Sequence, residues 1–211
     1  MDTTKKVIFI TATNTNIGKT KACEILIKKY FKLGLNVAYF KPIETGIKHD
    51  SSDTNKILNL LNQLNKNNTP TIDMMSHYRF SLPAAPVVAN SLNIDIDINC
   101  LLQKTANLLK LYDVVLVEGA GGLKTPITQK LFMIDLIKYF QDYFEDFEAL
   151  LVAPSYLGCI NDTLLSLDCL KNYNIKHNWV VNLHQNKKQF EKITKPFYDD
   201  YFKYINYLQD I

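Results

Sequence analysis

The sequence contains a single arginine, Arg79, although lysine and arginine together account for 24 of its 211 residues. Arginine forks are the side chains that most often read base edges and bind phosphate backbones. The formal net charge of +3 is also too small to imply a polyanionic partner. Both features argue against a nucleic-acid-binding protein.

Cysteine pairs and long apolar runs are also scarce. The four cysteines include no Cys-x-x-Cys pair, and the four histidines are scattered. Such cysteines are typical of reduced packing residues in a cytosolic protein, and a zinc site is not expected. No stretch of 18 apolar residues occurs, and the short N-terminal apolar run ends in polar residues. The sequence therefore predicts a soluble, cytoplasmic protein with no membrane partner.

The composition predicts one domain. Apolar residues make up 47% of the chain, which is enough for one sizeable core, and no linker-like segment divides it. We therefore expect residues 1–211 to form a single domain, with a short tail after about residue 183 that is rich in Tyr, Phe and Lys.

Apolar runs alternate with segments of helical spacing. Residues 7–10, 36–40, 114–117, 149–153 and 179–183 are predicted to be strands. This alternation predicts an α/β fold with one mostly parallel sheet and helices on both faces. Ligands bind at the carboxyl ends of strands in such sheets, so the residues that follow each strand are candidate site residues.

The first strand leads through a polar loop into Gly18-Lys19-Thr20 and a helix. The start of that helix offers unpaired N–H groups and a positive dipole end to phosphates. Lys19 adds a charge near the terminal phosphates, and the Thr20 hydroxyl is placed to ligate Mg²⁺. The strict phosphate-binding pattern has a glycine where this chain has Thr13, so an ordinary helix start remains the alternative for this motif alone.

A lysine-containing segment, residues 41–46, follows the second predicted strand, and we expect it to form a loop at the same sheet edge. Lys41 there is either a site residue or a solvated lysine. Asp53 opens a predicted helix, where it either caps the helix or reaches a metal. Residues 65–76 are predicted to be loop, and the proline-rich residues 80–86 are not expected to continue any element.

Two further strand ends carry candidate residues. Glu118 ends a buried strand before a glycine-rich turn, which is how P-loop proteins position a second metal carboxylate, although an incidental glutamate is the alternative. Asn161 is predicted to cap the helix after the 149–153 strand, and the start of that helix is a second potential anion site.

Four segments together carry a resemblance. They are residues 13–20, Lys41-Pro42-x-x-Thr45-Gly46, Glu118-Gly119-Ala120-Gly121-Gly122 and Leu157-Gly158-Cys159-Ile160-Asn161. In this order and spacing, over roughly the first 180 residues, they resemble the dethiobiotin synthetase family. The resemblance implies a homodimeric P-loop enzyme. The implied reaction converts 7,8-diaminopelargonate, CO₂ or bicarbonate, and ATP to dethiobiotin, ADP and phosphate.

The resemblance also implies roles for individual residues. Thr20, Asp53 and Glu118 would ligate Mg²⁺. Lys19 would bridge the phosphates. Lys41 would sit over the carbamate and the transferring phosphoryl group. Together with Gly18, Lys19, Thr20, Asp53 and Glu118, the residues implied to contact the nucleotide are Asn16, Ile17, Lys21, Gly119, Ala120, Gly121 and Asn182. Those implied to hold the diamine substrate are Thr15, Lys41 and Thr45. The carboxylate end of the substrate would be held by residues of the other subunit, namely Leu157, Gly158, Cys159 and Asn161. Lys41, Lys19 and Thr15 would be the catalytic residues.

The C-terminal part departs from the family pattern. The family reads adenine partly with an Asn-Asp pair and with a later Gly-x-x-Pro segment, but here Asn182 precedes Leu183 and no glycine follows Gly158. We therefore expect weaker nucleotide binding and poorer base selectivity than in other members.

A P-loop ATPase switch of the partitioning or cell-division-site type is the alternative function. Such switches resemble this chain in fold, but they carry a second lysine where Asn14 stands. They often end in a basic amphipathic membrane helix, whereas this tail contains Asp199, Asp200 and Asp210.

Overall fold

The structure is a computed structural model that describes residues 5–47, 52–64, 70–184 and 187–211. The strands in this part of the chain form one six-stranded sheet in the order β3-β2-β4-β1-β5-β6, and every neighbouring pair is parallel. The strands are β1 (Lys6–Ala12), β2 (Val37–Thr45), β3 (Ser76–Phe80), β4 (Val114–Glu118), β5 (Phe147–Ala153) and β6 (His177–Val181).

Helices occupy the connections between the parallel strands, as parallel pairing requires. They are α1 (Lys19–Lys32), α2 (Asp53–Leu64), α3 (Ile72–Met75), α4 (Pro86–Ala89), α5 (Ile98–Leu111), α6 (Met133–Tyr143), α7 (Cys159–Asn172), α8 (Lys187–Gln189) and α9 (Lys195–Tyr201), with a π-helical segment at Phe190–Thr194 and a 3-10 turn at Leu208–Asp210. The predicted α/β fold is confirmed. None of the helices in the described ranges is long and apolar enough to cross a membrane.

The central strands are buried on both faces, which explains their nearly continuous apolar sequences. On one face, Phe9 of β1 packs edge-on against Phe140 of α6 with ring centroids 5.3 Å apart. On the other face, Ile10 lies in a second core with Ile27 of α1. The ends of β1 and β4, where the site residues begin, are therefore held between two packed layers.

The second strand is longer than the sequence predicts. It continues past Phe40 to Thr45 because β3 pairs with its second half, in a register that runs from Lys41 opposite Ser76 to Thr45 opposite Phe80. The prediction of a loop at residues 41–46 is wrong for all but Gly46. The prediction of a loop at residues 65–76 is wrong for α3 and for Ser76, the first residue of β3, and residues 65–69 lie outside the described part. A strand therefore holds Lys41 in place.

The C-terminal tail packs against the sheet. The backbone N–H of Val181 donates to the carbonyl of Asn206 at 2.8 Å, and Val181 pairs in parallel with Tyr207. Leu208 is fully buried in the core that contains α1. The tail thus pairs with the outer edge of β6 at one position.

Candidate active site

The loop between β1 and α1 is closely packed. Gly18 has a φ of 112°, and a Cβ atom there would lie 2.3 Å from Nδ2 of Asn182. A Cβ on Gly122 would lie 2.5 Å from the carbonyl oxygen of Thr13. Glycine is therefore required at both positions, and the loop after β4 lies directly against the loop after β1.

Lys19 opens α1 beneath this loop and is nearly buried. Its ammonium donates to the carbonyl of Asn14 at 3.1 Å and makes no ion pair with any residue in the described part of the chain. Burial lowers the pKa of Lys19 to about 8. A buried cation with unused donors is suited to binding an anion.

The Glu118 carboxylate, 1% exposed, lies at the end of β4 and accepts four hydrogen bonds. Its Oε1 accepts from the Thr20 hydroxyl at 2.9 Å and from the Lys41 ammonium at 2.8 Å. Its Oε2 accepts from the Tyr39 hydroxyl at 3.0 Å and from the Cys23 thiol at 3.5 Å. These donors compensate for burying the charge and hold the Glu118 carboxylate at the edge of the cleft.

Lys41 joins Glu118 to Asp53. Its ammonium also donates to Oδ2 of Asp53 at 2.6 Å. Although burial lowers the pKa of Lys41, the charges of Glu118 and Asp53 outweigh that effect and raise it above its usual value. Burial raises the pKa of Asp53, but Lys41 outweighs that effect and holds it below its usual value. Lys41 is therefore a buried ion-paired residue, and its alternative as a solvated loop lysine is wrong.

The start of α2 places Asp53. The Ser52 hydroxyl accepts the N–H of Asn55 at 3.1 Å, so Ser52 caps the helix and Asp53 does not. The buried Glu44 carboxylate accepts the backbone N–H of Thr54 at 3.1 Å and its hydroxyl at 2.7 Å. These contacts tie the helix start to β2 and leave Asp53 facing Lys41.

A cleft of about 1220 Å³ opens above these side chains. It brings together most of the predicted residues. Those that line it are Thr15, Asn16, Gly18, Lys19, Thr20, Lys21, Lys41, Thr45, Asp53, Glu118, Gly119, Ala120, Gly121 and Asn182.

Known proteins with similar sequences include several curated dethiobiotin synthetases. The chain is 45% identical over 197 residues to the ATP-dependent dethiobiotin synthetase BioD of Sulfurovum sp. (strain NBC37-1), a match that covers 92% of this chain and 90% of that protein. It is 36% identical over 180 residues to the enzyme of the same name from Methanocaldococcus jannaschii, covering 83% of this chain and 78% of that protein.

The chain belongs to the dethiobiotin synthetase family. The resemblance inferred from the four motifs is thus confirmed. A family model described as an AAA domain also matches residues 6–198.

Solved structures of other P-loop proteins share the fold of this dethiobiotin synthetase family member. The MinC:MinD cell division complex of Aquifex aeolicus matches with a TM-score of 0.54 and 20% identity, covering 95% of this chain and 79% of that chain. An apo-form GTPase from Pyrococcus abyssi matches with a TM-score of 0.56 and 16% identity, covering 96% and 76% of the two chains. At these identities the likeness shows the fold alone.

The other predicted residues lie outside the cleft. Ile17 is buried in the core, and its carbonyl accepts from Nδ2 of Asn182 at 2.8 Å. Leu157, 71% exposed, and the segment Gly158–Asn161 do not line the cleft formed by the described residues. Asn161 does not cap α7, since the helix begins at Cys159 and the cap is Gly158, with a φ of 98°.

Sequence reasoning missed several residues that line the cleft. Lys124 and Thr125 follow the glycine-rich turn, and His184 lies two positions after Asn182. Pro83–Pro86 also line the cleft, whereas their sequence predicts only a break in regular structure. The position of Lys124 shortly after the glycine-rich turn is a sequence signal that could have predicted it as a site residue. The contact of Pro83–Pro86 with the cleft depends on the tertiary fold.

Binding of a polyphosphate is expected to take up a proton above pH 8. Burial lowers the pKa of Lys19 to about 8, so we expect a growing neutral fraction above that pH, and a bound anion should raise the pKa again. Burial raises the pKa values of Cys23 and Tyr39, so both side chains keep their protons in this pH range. The proton that Lys19 takes up therefore comes from the solution. Titration calorimetry of MgADP in buffers of different ionisation enthalpy measures the uptake.

The control for this measurement is Lys19→Met, which should bind more weakly and take up almost no proton. The affinity of the unchanged protein should fall as pH rises from about 7 to 9, because the cationic form of Lys19 is lost in that range. Equal proton uptake by both proteins would contradict the assignment.

Proposed function

We propose that the chain is a dethiobiotin synthetase that carboxylates and cyclises 7,8-diaminopelargonate with CO₂, using ATP, in the cytoplasm. One amine adds to CO₂ to form a carbamate, and a carbamate oxygen attacks the γ-phosphorus with loss of ADP. The second amine then attacks the carbamoyl carbon, which closes the ureido ring and releases phosphate.

A single arrangement carries this proposal. In a chain that is 45% identical to a dethiobiotin synthetase, the Lys19 cation and the Lys41–Asp53–Glu118 cluster border the same cleft. The proposed path needs positioning and charge stabilisation more than covalent chemistry from the protein. Two buried cations beside a phosphate-binding loop meet that need.

The oxygen atoms beside Lys41 fit Mg²⁺. The Thr20 hydroxyl lies 2.9 Å from Glu118, and one ammonium contacts both Glu118 and Asp53, so these side chains already accommodate a positive charge. Mg²⁺ prefers such oxygen ligands. We assign Thr20, Asp53 and Glu118 to the metal, which when bound neutralises charge on the phosphates.

The two lysines are assigned different tasks. Lys19 lies at the start of α1 with no carboxylate partner in the described ranges, and we assign it to the β- and γ-phosphates. Lys41 has three donors, of which two reach Asp53 and Glu118. We assign the remaining donor to the carbamate and the transferring phosphoryl oxygens, with Thr15 and Thr45 near the amines.

The carboxylate end of the diamine is assigned to a second subunit. Leu157 and Leu165 are exposed apolar residues at and along α7, at 71% and 62%. A partner that covers them in a homodimer would place the start of its own α7, with Gly158, Cys159 and Asn161, near the cleft. That helix start offers free N–H groups to a carboxylate.

The first test is ADP release from MgATP. Release should depend on both diaminopelargonate and bicarbonate, because the phosphoryl acceptor is a carbamate formed from them. Steady-state rates with each co-substrate omitted measure this dependence. Release that needs neither co-substrate but is stimulated by DNA or lipid vesicles would instead support a P-loop switch.

Substitution of the two lysines should separate turnover from nucleotide binding. Lys41→Ala is expected to lower kcat by roughly 10³-fold, because it removes a charge aimed at the transition state. Its affinity for a non-hydrolysable ATP analogue should change by less than about threefold, whereas Lys19→Ala should weaken it roughly 10- to 100-fold.

The ADP-release assay and calorimetric titration of both variants measure these effects, and substitution of the exposed Lys28 by alanine is the control. An equal loss of affinity in both variants would refute the division of tasks.

Leu165→Asp should produce a monomer with little turnover, since it places a charge in the proposed interface. Its nucleotide affinity should be unchanged because the phosphate loop belongs to one chain. Analytical ultracentrifugation and the ADP assay measure both properties. Leu33→Asp, at an equally exposed position at the end of α1, is the matched control. A fully active monomer would argue against a shared substrate site.

A further inference from the structure

The last turn of the chain reaches back to the cleft. Gln209 lies in the 3-10 turn beside the fully buried Leu208, and its Nε2 donates to Oδ1 of Asn182 at 3.0 Å. The pairing of Val181 with Tyr207 holds the same turn against β6. The two residues that precede the exposed Gln209 are therefore anchored, Tyr207 by the sheet and Leu208 by the core.

Three hydrogen bonds run through this contact. The N–H of Leu183 donates to Oε1 of Gln209 at 3.4 Å, Gln209 donates to Asn182, and Nδ2 of Asn182 donates to the carbonyl of Ile17 at 2.8 Å. A backbone N–H can only donate and a carbonyl can only accept. The two ends of the series therefore fix which way both side-chain amides point.

Among the described residues, Ile17 and Gln209 leave Asn182 one donor and one acceptor for a ligand. Its amide has two N–H groups and two acceptor positions, and one of each is used by Ile17 and Gln209. Asn182 is nearly buried and lines the cleft together with Gly18, Lys21 and His184. The amide oxygen and nitrogen of Asn182 lie side by side, and these two partners fix their order.

The sheet order places Asn182 at the nucleoside end of the cleft. Lys41 and Glu118, on β2 and β4, lie to one side of β1 and its phosphate loop, whereas β5 and β6 lie to the other side. If the terminal phosphoryl group is directed at Lys41, as the proposed function requires, the nucleoside extends toward the end of β6. This placement rests on that proposed function.

We propose that Gln209 is a positioning residue that orients the Asn182 amide to select adenine over guanine. Adenine presents a donor, N6–H, beside an acceptor, N7, whereas guanine presents two acceptors, O6 and N7. The fixed amide can pair with both groups of adenine, but its oxygen faces O6 of guanine. One mismatched hydrogen bond corresponds to a preference of about tenfold. A preference carried by one amide also agrees with the expectation of weaker selectivity than in members with a Gly-x-x-Pro segment.

The test uses the isosteric substitution Gln209→Glu. The new carboxylate can still accept from Leu183, but it presents an acceptor to the Asn182 oxygen, so the amide order is disturbed without a loss of volume. Gln209→Ala removes the contact instead. Gln189→Glu, the same change at an exposed position in α8, is the control for added charge. Calorimetric titration with MgADP and MgGDP gives the affinity ratio, and the diamine-dependent assay gives kcat and KM with ATP and GTP.

We expect the unchanged protein to bind ADP about tenfold more tightly than GDP. Gln209→Glu should abolish this preference, and Gln209→Ala should reduce it about threefold. The kcat for ATP should stay nearly constant in both variants. Gln189→Glu should retain the preference. An unchanged ratio in both Gln209 variants, an equal weakening of both nucleotides, or no preference in the unchanged protein would overturn the proposal. Should Gln209→Glu fail to fold, the ratio for Gln209→Ala decides. If the ratio shifts as expected but no protein shows diamine-dependent turnover, this inference is supported and the proposed function is not.

Discussion

The buried carboxylate of Glu118 is the interaction on which the rest of the site depends. Transfer of such a charge from water costs several kcal/mol unless donors replace its hydration. Here the donors come from α1, through Thr20 and Cys23, and from β2, through Tyr39 and Lys41. One charge at the end of β4 thus holds the phosphate loop's helix and the neighbouring strand in a single arrangement, and loss of any strong donor leaves part of that charge unpaired.

Burial acts on two lysines with opposite results. Lys19 has only a backbone carbonyl as a partner among the described residues, so desolvation prevails and lowers its pKa to about 8. Lys41 is buried as well, but two carboxylates outweigh desolvation and raise its pKa. The same physical penalty therefore yields one cation that gains from an incoming anion and one that is held charged and in place. This contrast is the structural basis for assigning binding to Lys19 and transition-state stabilisation to Lys41.

The sequence predicts the parts of the fold and site whose signals are local. Glu118 directly follows a continuous apolar run, and Gly18-Lys19-Thr20 follows one across a short polar loop. In both cases the sequence predicts the strand and the functional residues near its end. The strand β3 was missed because Ser76–Phe80 alternates polar and apolar residues only briefly between α3 and a proline-rich segment. The full length of β2 is not predicted either, because its second half is a strand only where β3 pairs with it. The sequence predicts Asn161 as the cap of α7, but Gly158, three residues earlier and with a positive φ, caps the helix. Gln209 could not be predicted at all, because its contact with Asn182 spans 27 residues and depends on how the tail folds.

The tail makes two separate groups of contacts. Gln209 donates a hydrogen bond to Asn182, which lines the cleft. Near the start of α7, the buried Tyr198 hydroxyl donates its one proton to the carbonyl of Cys159 at 3.2 Å and can accept from the Thr163 hydroxyl at 2.9 Å. Tyr198 also packs edge-on against Trp179 of β6, with ring centroids 5.8 Å apart. The tail is therefore a packing layer behind β6 and α7. Because one cluster of aromatic residues supports both contacts, the position of the Asn182 amide and the geometry of the α7 start depend on the same folded tail.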